Sequence, residues 1–482
     1  MPSLHTTDFV VMAVYFLVLL AIGLWVMRSK TGASESESFL AADRNMNLFQ
    51  STTSTAATDI GGGFSIAMGG LGFTLGISGS WLVAISGLSV VMASFLVVPK
   101  VKRWADRVKG LTSGDLFGQR FDARTGFTAA CLVGASWFAF VGGQIIAGGK
   151  LLQATVGLSL PVAIFVAGAV IVSYTAMGGL KAVIYTDVFQ MTILLIGVVF
   201  VLVPIGLIEV GGLSKMVEFF RSAPETASMV DWGAAGWKQS IGWFLSIFPV
   251  WFISIAGFQR IIAARDERTA RRAFVLTGIP LEWPLFAIGS TLVGMFARML
   301  SPGLSDPELA TPTMILTLLP TGLAGLVIAA YIAALMSTAD SCLIGPVAIF
   351  VNDVYRKRMN PSATSRDLTR VGRIATLVLG VLAIAIAYLF PQALDLILYA
   401  YTFGAAGLFF PMLGLLFWKR ATAAGAFWSI VTGGTSAVLW TVADEPYGFA
   451  PSYIGWTMSF VTLVAVSLAT EHAAEEDLES FA

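Results

Sequence analysis

The sequence predicts an all-α protein that crosses a membrane about thirteen times. Hydrophobic residues make up 56% of its 482 residues and charged residues only 12%, too few to give a soluble chain of this length a polar surface. Apolar stretches of about 20 residues recur along the chain, and one helix of that length crosses the ~30 Å hydrocarbon layer. Because the stretches are continuous rather than alternating, a transmembrane β-barrel is not expected.

The predicted spans form one membrane domain over residues 1–482, since no connection is long enough for a soluble enzyme module. They cover residues 8–28, 46–73, 79–101, 125–155, 160–178, 184–209, 237–262, 271–298, 321–354, 369–390, 392–418, 422–442 and 449–470. The longest outer connection, 210–236, contains GLSKMVEFF, which favours a short interfacial helix. Three prolines mark a second outer loop at 302–320.

The distribution of basic residues predicts the orientation of the chain in a plasma membrane. With the N-terminus outside, nearly all lysines and arginines, including Arg260, fall in inner loops, as the positive-inside rule requires. The outer side keeps only Lys150, Lys215, Arg221, Lys238 and Arg298. The start MPSLHTTD has no basic region, so we expect a retained first helix rather than a signal peptide, and a cytoplasmic acidic tail, EEDLE.

Two predicted spans contain residues that interrupt helices. The second reads STTSTAATDIGGGFSIAMGGLGF, with Gly61–Gly63 beside Asp59, and the seventh carries Pro249 near its middle. They lie five spans apart, so equivalent spans in the two halves would run in opposite directions. Interrupted spans at matching positions indicate a transporter binding site, although glycine and proline are also common in membrane helices generally.

The ninth span, which contains AALMSTADSCLIG, places Asp340 among hydroxyl groups at membrane depth. Ser337 and Ser341 share a helix face at i, i+4, and Thr338 lies beside them. Such hydroxyls either bind an ion or donate back to carbonyls one turn earlier.

Residues 174–190, YTAMGGLKAVIYTDVFQ, resemble the signature of the solute:sodium symporter family. With TAATDIGGG and AALMSTADS, the resemblance extends from about residue 8 to 420. It implies a LeuT-like inverted five-plus-five repeat, with repeats at 46–209 and 237–418 and additional helices at 8–28 and 422–470. Family members couple transport to Na⁺ and need no organic cofactor.

The resemblance also implies a sodium site made of oxygen atoms. Its ligands would be the carbonyls of Ala57, Ile60 and Ala334 and the hydroxyls of Ser337 and Thr338. Carbonyls freed at a helix break suit a small hard cation.

Four carboxylates, Asp59, Asp187, Glu282 and Asp340, fall in or beside apolar spans, where an unpaired charge is costly. The resemblance implies a second ion site at Asp187, Asp340 and Ser341; Asp340 stands where some members have serine, which leaves a proton open as the ion. Alternatives are pairing of Asp187 with Lys181 and of Asp340 with an inner arginine. For Glu282 we favour a structural hydrogen bond between helices.

The substrate is expected between the interrupted spans. The candidate contacts are Asp59, Gly62, Phe64, Trp81, Trp137, Gln144, Phe248, Trp251 and Phe252. Aromatic faces and a carboxylate, with no lysine or arginine at central depth, favour an amino acid or quaternary amine. Sugars and monocarboxylates stay open, and each aromatic side chain has packing as its alternative role.

These observations predict a sodium-coupled symporter for a small organic solute. A proton-coupled symporter is the nearest alternative, and a transporter-like sensor is remote because the chain ends about a dozen residues after its last span. An enzyme is not expected, since the two histidines, His5 and His472, lie near the termini and no nucleophile–base pair is evident. Cys131 and Cys342 fall in apolar runs, so no disulfide is predicted. The partners are then the solute, sodium and the lipid bilayer, without nucleic acid, and a monomer would suffice.

Overall fold

A computed structural model describes residues 4–28 and 42–471, which form helices with short connections. Within those ranges the only β-type pairing is one bridge between Met46 and Ala264. The first eleven helices are α1 Thr6–Arg28, α2 Leu48–Ile60, α3 Gly62–Leu75, α4 Trp81–Leu96, α5 Val98–Val108, α6 Ser113–Arg120, α7 Ala123–Val156, α8 Leu160–Leu195, α9 Val203–Glu209, α10 Gly212–Arg221 and α11 Gly236–Ile247. The others are α12 Val250–Ile253, α13 Ile255–Ala263, α14 Glu267–Leu276, α15 Ala287–Leu300, α16 Ala310–Leu318, α17 Leu323–Ile349, α18 Ser365–Ala387, α19 Ala393–Phe417, α20 Ala423–Val442 and α21 Pro451–Ala469.

Helix is present in each of the thirteen predicted segments. Among the described residues, nine helical stretches are long and apolar enough to cross a membrane, and Thr6–Ile22 and Leu160–Ser173 are shorter apolar helices. The all-helical membrane class is confirmed, while the count of thirteen spans stays a prediction. Lys30, His472 and the acidic tail lie outside the described residues.

Helix α17 forms the centre of the molecule. It is buried along nearly its whole length and packs against α1, α7, α8 and α18. A helix that is apolar on all sides is stable only when other helices surround it. The polar residues of AALMSTADSCLIG therefore lie inside the protein rather than against lipid.

The second predicted span is interrupted at its glycines. Helix α2 starts with a capping box, in which the Asn47 side chain accepts from the backbone N–H of Gln50 at 3.0 Å and the Gln50 side chain accepts from that of Asn47 at 3.1 Å. It ends at Ile60, because Gly61 adopts φ +30° and ψ 157°, a conformation that only glycine adopts without strain. Helix α3 then continues from Gly62.

The seventh predicted span is interrupted over a longer segment than Pro249 alone predicts. Helix α11 ends at Ile247, and the short helix α12 follows Pro249. Ser254 is extended, at φ −61° and ψ 120°, and its hydroxyl accepts from the Gly257 N–H at 3.0 Å to begin α13. The interruption thus includes a serine cap that the sequence analysis did not identify.

Candidate functional site

The interruption between α2 and α3 lies against the middle of α17. Thr338 Oγ1 is 2.9 Å from the Ala57 carbonyl oxygen and 3.0 Å from that of Ala334. Ser337 Oγ donates to the Ala334 carbonyl at 3.0 Å. Ile60, the last residue of α2, is buried beside them. Four of the five predicted sodium ligands are therefore joined by direct contacts, and every contributing atom is a neutral oxygen.

Gly61 allows this close approach between α2 and α17. A methyl group at its position would overlap the Thr338 side chain, in addition to straining the backbone at φ +30°. Thr338 Oγ1 has one proton and faces two carbonyls, so it can satisfy only one of them at a time. A cation among these oxygens would replace that proton as their common partner.

A second polar cluster lies nearer the side predicted as cytoplasmic, around Arg260 of α13. Its Nη2 is 3.2 Å from Asp187 Oδ2 and 2.7 Å from Ser341 Oγ, and both partners of the Arg260–Asp187 ion pair are fully buried. Arg260 Nε donates to the Ser54 carbonyl at 3.1 Å, and Ser54 Oγ donates to Asp187 Oδ2 at 2.6 Å. The cluster connects α2, α8, α13 and α17.

The sequence analysis was wrong about Arg260, which it assigned to an inner loop. A cation near the end of a span usually reaches the interface, but here the carboxylate of Asp187 holds it inside the protein. The expected alternative of Asp187 pairing with Lys181 is also absent from the structure, because Lys181 Nζ lies 2.8 Å from Asp43 Oδ2.

Asp340 accepts a hydrogen bond from Thr175 on α8 rather than pairing with an inner arginine. Its Oδ2 and the Oδ1 of Asp187 have no hydrogen-bond partner among the described protein atoms. The three predicted ligands of a second ion site, Asp187, Asp340 and Ser341, are therefore close together, but Arg260 already bonds to two of them.

Asp59, one residue before the end of α2, faces Glu282 in the π-helical segment Thr277–Phe286. Ser86 Oγ of α4 donates to Asp59 Oδ2 at 2.7 Å, and Glu282 packs beside the neighbouring Gly87. Asp59 is in hydrogen-bond contact with Glu282 and with the Trp251 side chain, and the Glu282 oxygens have no donor among the other described side chains. Glu282 therefore lies against Asp59, and its role as a structural hydrogen bond between helices stays a prediction.

Aromatic rings form two groups beside the interrupted helices, and Tyr401 in the first group is near both carboxyl groups. The Phe64 ring stacks on Tyr401 of α19 at 5.9 Å, and Trp137 meets the same tyrosine at 6.0 Å. Phe248 and Phe252 are 5.3 Å apart and both contact Phe409. Sequence reasoning missed Ser86, Tyr401 and Phe409, although a tyrosine inside an apolar span was a visible signal.

The remaining predicted substrate contacts differ in their positions. Gln144 is completely buried on α7, two turns after Trp137. Gly62 begins α3 directly after the interruption. Trp81 lies apart from the others, because it is 39% exposed and its indole donates to the Trp232 carbonyl in the long outer connection at 2.9 Å. Its position favours a role at the outer entrance.

These features define a helical membrane protein with polar, oxygen-lined sites between interrupted helices. A family model, the sodium:solute symporter family, matches residues 39–433. The chain belongs to this family of membrane transporters, which are not enzymes.

The curated relatives include transporters of different solutes. The chain is 25% identical to the osmoregulated proline transporter OpuE of Bacillus subtilis, over 98% of this chain and 96% of that protein. It is 26% identical to sodium/glucose cotransporter 1 of Oryctolagus cuniculus, over 97% and 79% of the two chains.

Solved structures share the fold at lower identity. A Na⁺-coupled sialic acid symporter in a substrate-bound outward-open state superposes with a TM-score of 0.77 at 21% identity, over 98% of this chain and 99% of that chain. The closed conformation of Mhp1, a nucleobase-cation-symport-1 family transporter, gives a TM-score of 0.59 at 14% identity, over 92% and 98%.

Proposed function

We propose that the protein is a sodium-coupled symporter that imports a small organic solute with a positively charged nitrogen, most simply an amino acid. The observation that carries the proposal is the contact between Thr338 of α17 and the Ala57 carbonyl at the interruption of α2. An ion bound there would hold two helices together, and the substrate pocket begins two residues further along α2, at Asp59.

Sodium binding and solute binding would be coupled because both sites lie next to the interruption of α2. Sodium that binds among the oxygens of Ala57, Ile60, Ala334, Ser337 and Thr338 stabilises the arrangement in which α2 packs against α17. Sodium can favour that arrangement only by as much as its affinity for it exceeds its affinity for the alternatives. The substrate, binding next to the same interruption, would then bind more tightly when sodium is present.

We infer that one sodium ion accompanies each solute in the described arrangement. A second ion at Asp187, Asp340 and Ser341 would compete with the Arg260 guanidinium, which already supplies positive charge to Asp187 and a hydrogen bond to Ser341. A bound ion would also lie next to that fixed cation, and the repulsion would weaken its binding.

The pocket chemistry favours a nitrogen that carries hydrogen atoms. Glu282 lies against Asp59 without a donor from any other described side chain, and both carboxyl groups are near Tyr401, which stacks on Phe64. A primary or secondary ammonium group can donate to both carboxylates, whereas a quaternary ammonium has no hydrogen to donate. The name of a proline transporter among the relatives is consistent with an amino acid, and the glucose cotransporter keeps a sugar as the alternative.

The topology belongs to the same proposal. We place the N-terminus outside and assign the repeats to 46–209 and 237–418, with 8–28 and 422–470 as additional helices. The interruptions at Gly61 and at 248–254 support this division, since one falls early in each proposed repeat.

Uptake into proteoliposomes tests the proposal. Proline, glycine betaine, glucose and lactate would be offered separately under an inward sodium gradient, an inward proton gradient, or neither. We expect proline to accumulate only with the sodium gradient, whereas accumulation of glycine betaine alone would contradict a nitrogen that carries hydrogen atoms. Accumulation with the proton gradient alone would show proton coupling instead, and accumulation of glucose or lactate alone would contradict the substrate class.

A further inference from the structure

A basic cavity lies between α5, the end of α6 and the turn that joins α19 to α20. It has a volume of about 360 Å³ and is far in sequence from the sodium ligands and the carboxyl pair. The basic residues that line it are Lys100, Arg103, Arg107, Arg120 and Lys419, and its lining contains no acidic residue. Helix α5 contributes three of these cations to one face, at positions i, i+3 and i+7.

Arg120 is the residue that points to a bound anion. Its side chain is 9% exposed, and it has no ion pair with any carboxylate of residues 4–28 and 42–471. Its hydrogen bonds are two long ones from Nη2, at 3.4 Å to the Lys419 carbonyl and 3.5 Å to that of Ala421. Burial lowers the pKa of the Arg120 guanidinium. A buried guanidinium without a counter-charge is unfavourable. We therefore expect a negatively charged group to bind in the cavity.

Three other cations, Lys100, Lys419 and Arg103, leave most of their charge available to that group. Lys100 donates to the Leu416 carbonyl and lies 4.5 Å from the centre of the Phe417 ring, which does not neutralise it. Lys419 is exposed and forms no ion pair with a described residue. Arg103 has a carboxylate partner, Glu267, but at 3.6 Å and with both side chains substantially exposed.

The surroundings indicate where the negative group comes from. Phe417 is 47% exposed at the end of α19, and Trp418 also lines the cavity. Tryptophan beside basic side chains at the end of a membrane helix is typical of the headgroup region on the cytoplasmic side. Arginine binds phosphate through paired hydrogen bonds, and lysine adds a point charge.

We propose that this cavity binds a phosphate group, either the headgroup of an anionic phospholipid or a free phosphate ion. The Arg120 guanidinium binds the phosphate oxygens, Lys100 and Lys419 supply further positive charge, and the lipid tail extends along Phe417. The site is independent of the sodium site and of the solute pocket.

Thermal unfolding of the full-length protein in a neutral detergent tests the site. The probes are dihexanoyl phosphatidylglycerol, dihexanoyl phosphatidylcholine, and potassium phosphate against potassium chloride at equal ionic strength. We expect phosphatidylglycerol to raise the midpoint of the wild-type protein and phosphatidylcholine to leave it unchanged. A rise with inorganic phosphate as well shows that the phosphate group alone is sufficient, whereas a rise with the lipid alone assigns the site to the membrane.

Three variants, each of which lacks one positive charge, test whether phosphatidylglycerol binds at this cavity. Arg120→Gln should weaken the apparent affinity for phosphatidylglycerol about tenfold, the loss of one charge-assisted hydrogen bond. Lys419→Gln should weaken it by a smaller factor, and because Lys419 is exposed this variant folds even if Arg120→Gln does not. Arg366→Gln, an exposed position at the start of α18, is the matched control and should bind as wild type. The proposal is wrong if neither phosphate probe raises the wild-type midpoint, or if Lys419→Gln and Arg366→Gln lose the same affinity.

Discussion

At the scale of single residues, the charge of the proposed solute pocket depends on two carboxyl groups, those of Asp59 and Glu282. They lie on different elements, face each other, and have no lysine or arginine among their described polar neighbours. Two buried carboxylates in contact are stable only when a positive group accompanies them or when one of them is protonated. In our proposal that positive group is the ammonium of the solute.

Replacing either carboxylate by its amide should impair solute binding more than folding. We expect Asp59→Asn and Glu282→Gln each to raise the KM for the transported solute about tenfold or more, since the ammonium group loses an ionised acceptor and keeps only a hydrogen bond to a neutral amide of the same shape. Uptake into proteoliposomes measures KM, and thermal unfolding checks the fold. Asp231→Asn, in the exposed outer connection, is the control and should transport normally. An unchanged KM in Glu282→Gln would remove Glu282 from the solute site.

Sequence patterns predicted some of these residues and not others, for a physical reason. Ala57, Ser337 and Thr338 lie in short motifs, so their contact could be expected from the resemblance. The partner of Arg260 is Asp187, 73 positions away, and the partner of Glu282 is Asp59, 223 positions away. A linear sequence does not show which distant side chain will neutralise or face a charge. Their roles followed only from the packing of the helices.

At the scale of elements, the Arg260 cluster is the place where four helices meet: α2, α8, α13 and α17. We infer that its bonds close the protein between the proposed solute pocket and the side predicted as cytoplasmic. Cys342, one residue after Ser341, is buried in the same region, while Cys131 is exposed. The reactivity of Cys342 therefore reports whether this closure is intact.

Arg260→Gln should open the cytoplasmic side. Removing the guanidinium leaves Asp187 buried without its cation, so we expect faster modification of Cys342 by a membrane-impermeant maleimide in inside-out vesicles. The measurement is made in a Cys131→Ser background, and the double variant Asp187→Asn/Arg260→Gln should restore part of the slow rate, because no uncompensated charge remains. Equal labelling rates with and without Arg260 would show that the cluster does not close this side.

Lys150 forms a corresponding junction towards the predicted outer side. Its fully buried Nζ on α7 is 2.7 Å from Asp306, 2.7 Å from Glu308 and 2.6 Å from Gln392. Glu308 also accepts from the first backbone N–H groups of α19, so the second outer loop is attached to two helices.

Lys150→Met should destabilise the protein by about 3–5 kcal/mol, because two partly or fully buried carboxylates lose their cation. The midpoint of thermal unfolding in detergent measures the loss. Lys215→Met, at an exposed position on α10, removes the same charge and should leave the midpoint unchanged. A midpoint for Lys150→Met equal to that of Lys215→Met would mean that the junction contributes no net stability.

At the scale of the whole molecule, the sequence predicts the helical class and the family well, and the division of the chain into spans poorly. Helical class and family follow from composition and motifs, because hydrophobic length and local glycine or serine patterns are properties of short segments. The division of the chain into spans was predicted less well, because α8 is helical across residues 179–183, where the hydropathy pattern predicts a connection. Glycines such as Gly178 and Gly179 permit a turn without requiring one.

The proposed orientation can be tested with single cysteines at exposed sites. Ser305→Cys in the second outer loop should react with an impermeant maleimide in right-side-out vesicles, and Ser362→Cys, between α17 and α18, only in inside-out vesicles. The variants are made in a Cys131→Ser/Cys342→Ala background, and labelling after solubilisation is the control for accessibility. The reverse pattern would invert the topology and place the Arg260 cluster on the outside.

The central claim is that sodium binds where Thr338 meets the interruption of α2, and sodium-dependent thermal unfolding tests it most directly without a known solute. Sodium chloride and potassium chloride are compared at equal ionic strength with wild type, Thr338→Ala and Thr338→Ser. At 100 times its Kd, bound sodium stabilises the folded state by about 2.7 kcal/mol. We predict a sodium-specific rise in the midpoint that is lost in Thr338→Ala and kept in Thr338→Ser, where the hydroxyl remains. An equal sodium-specific rise in all three proteins, or none in the wild type, would contradict the account.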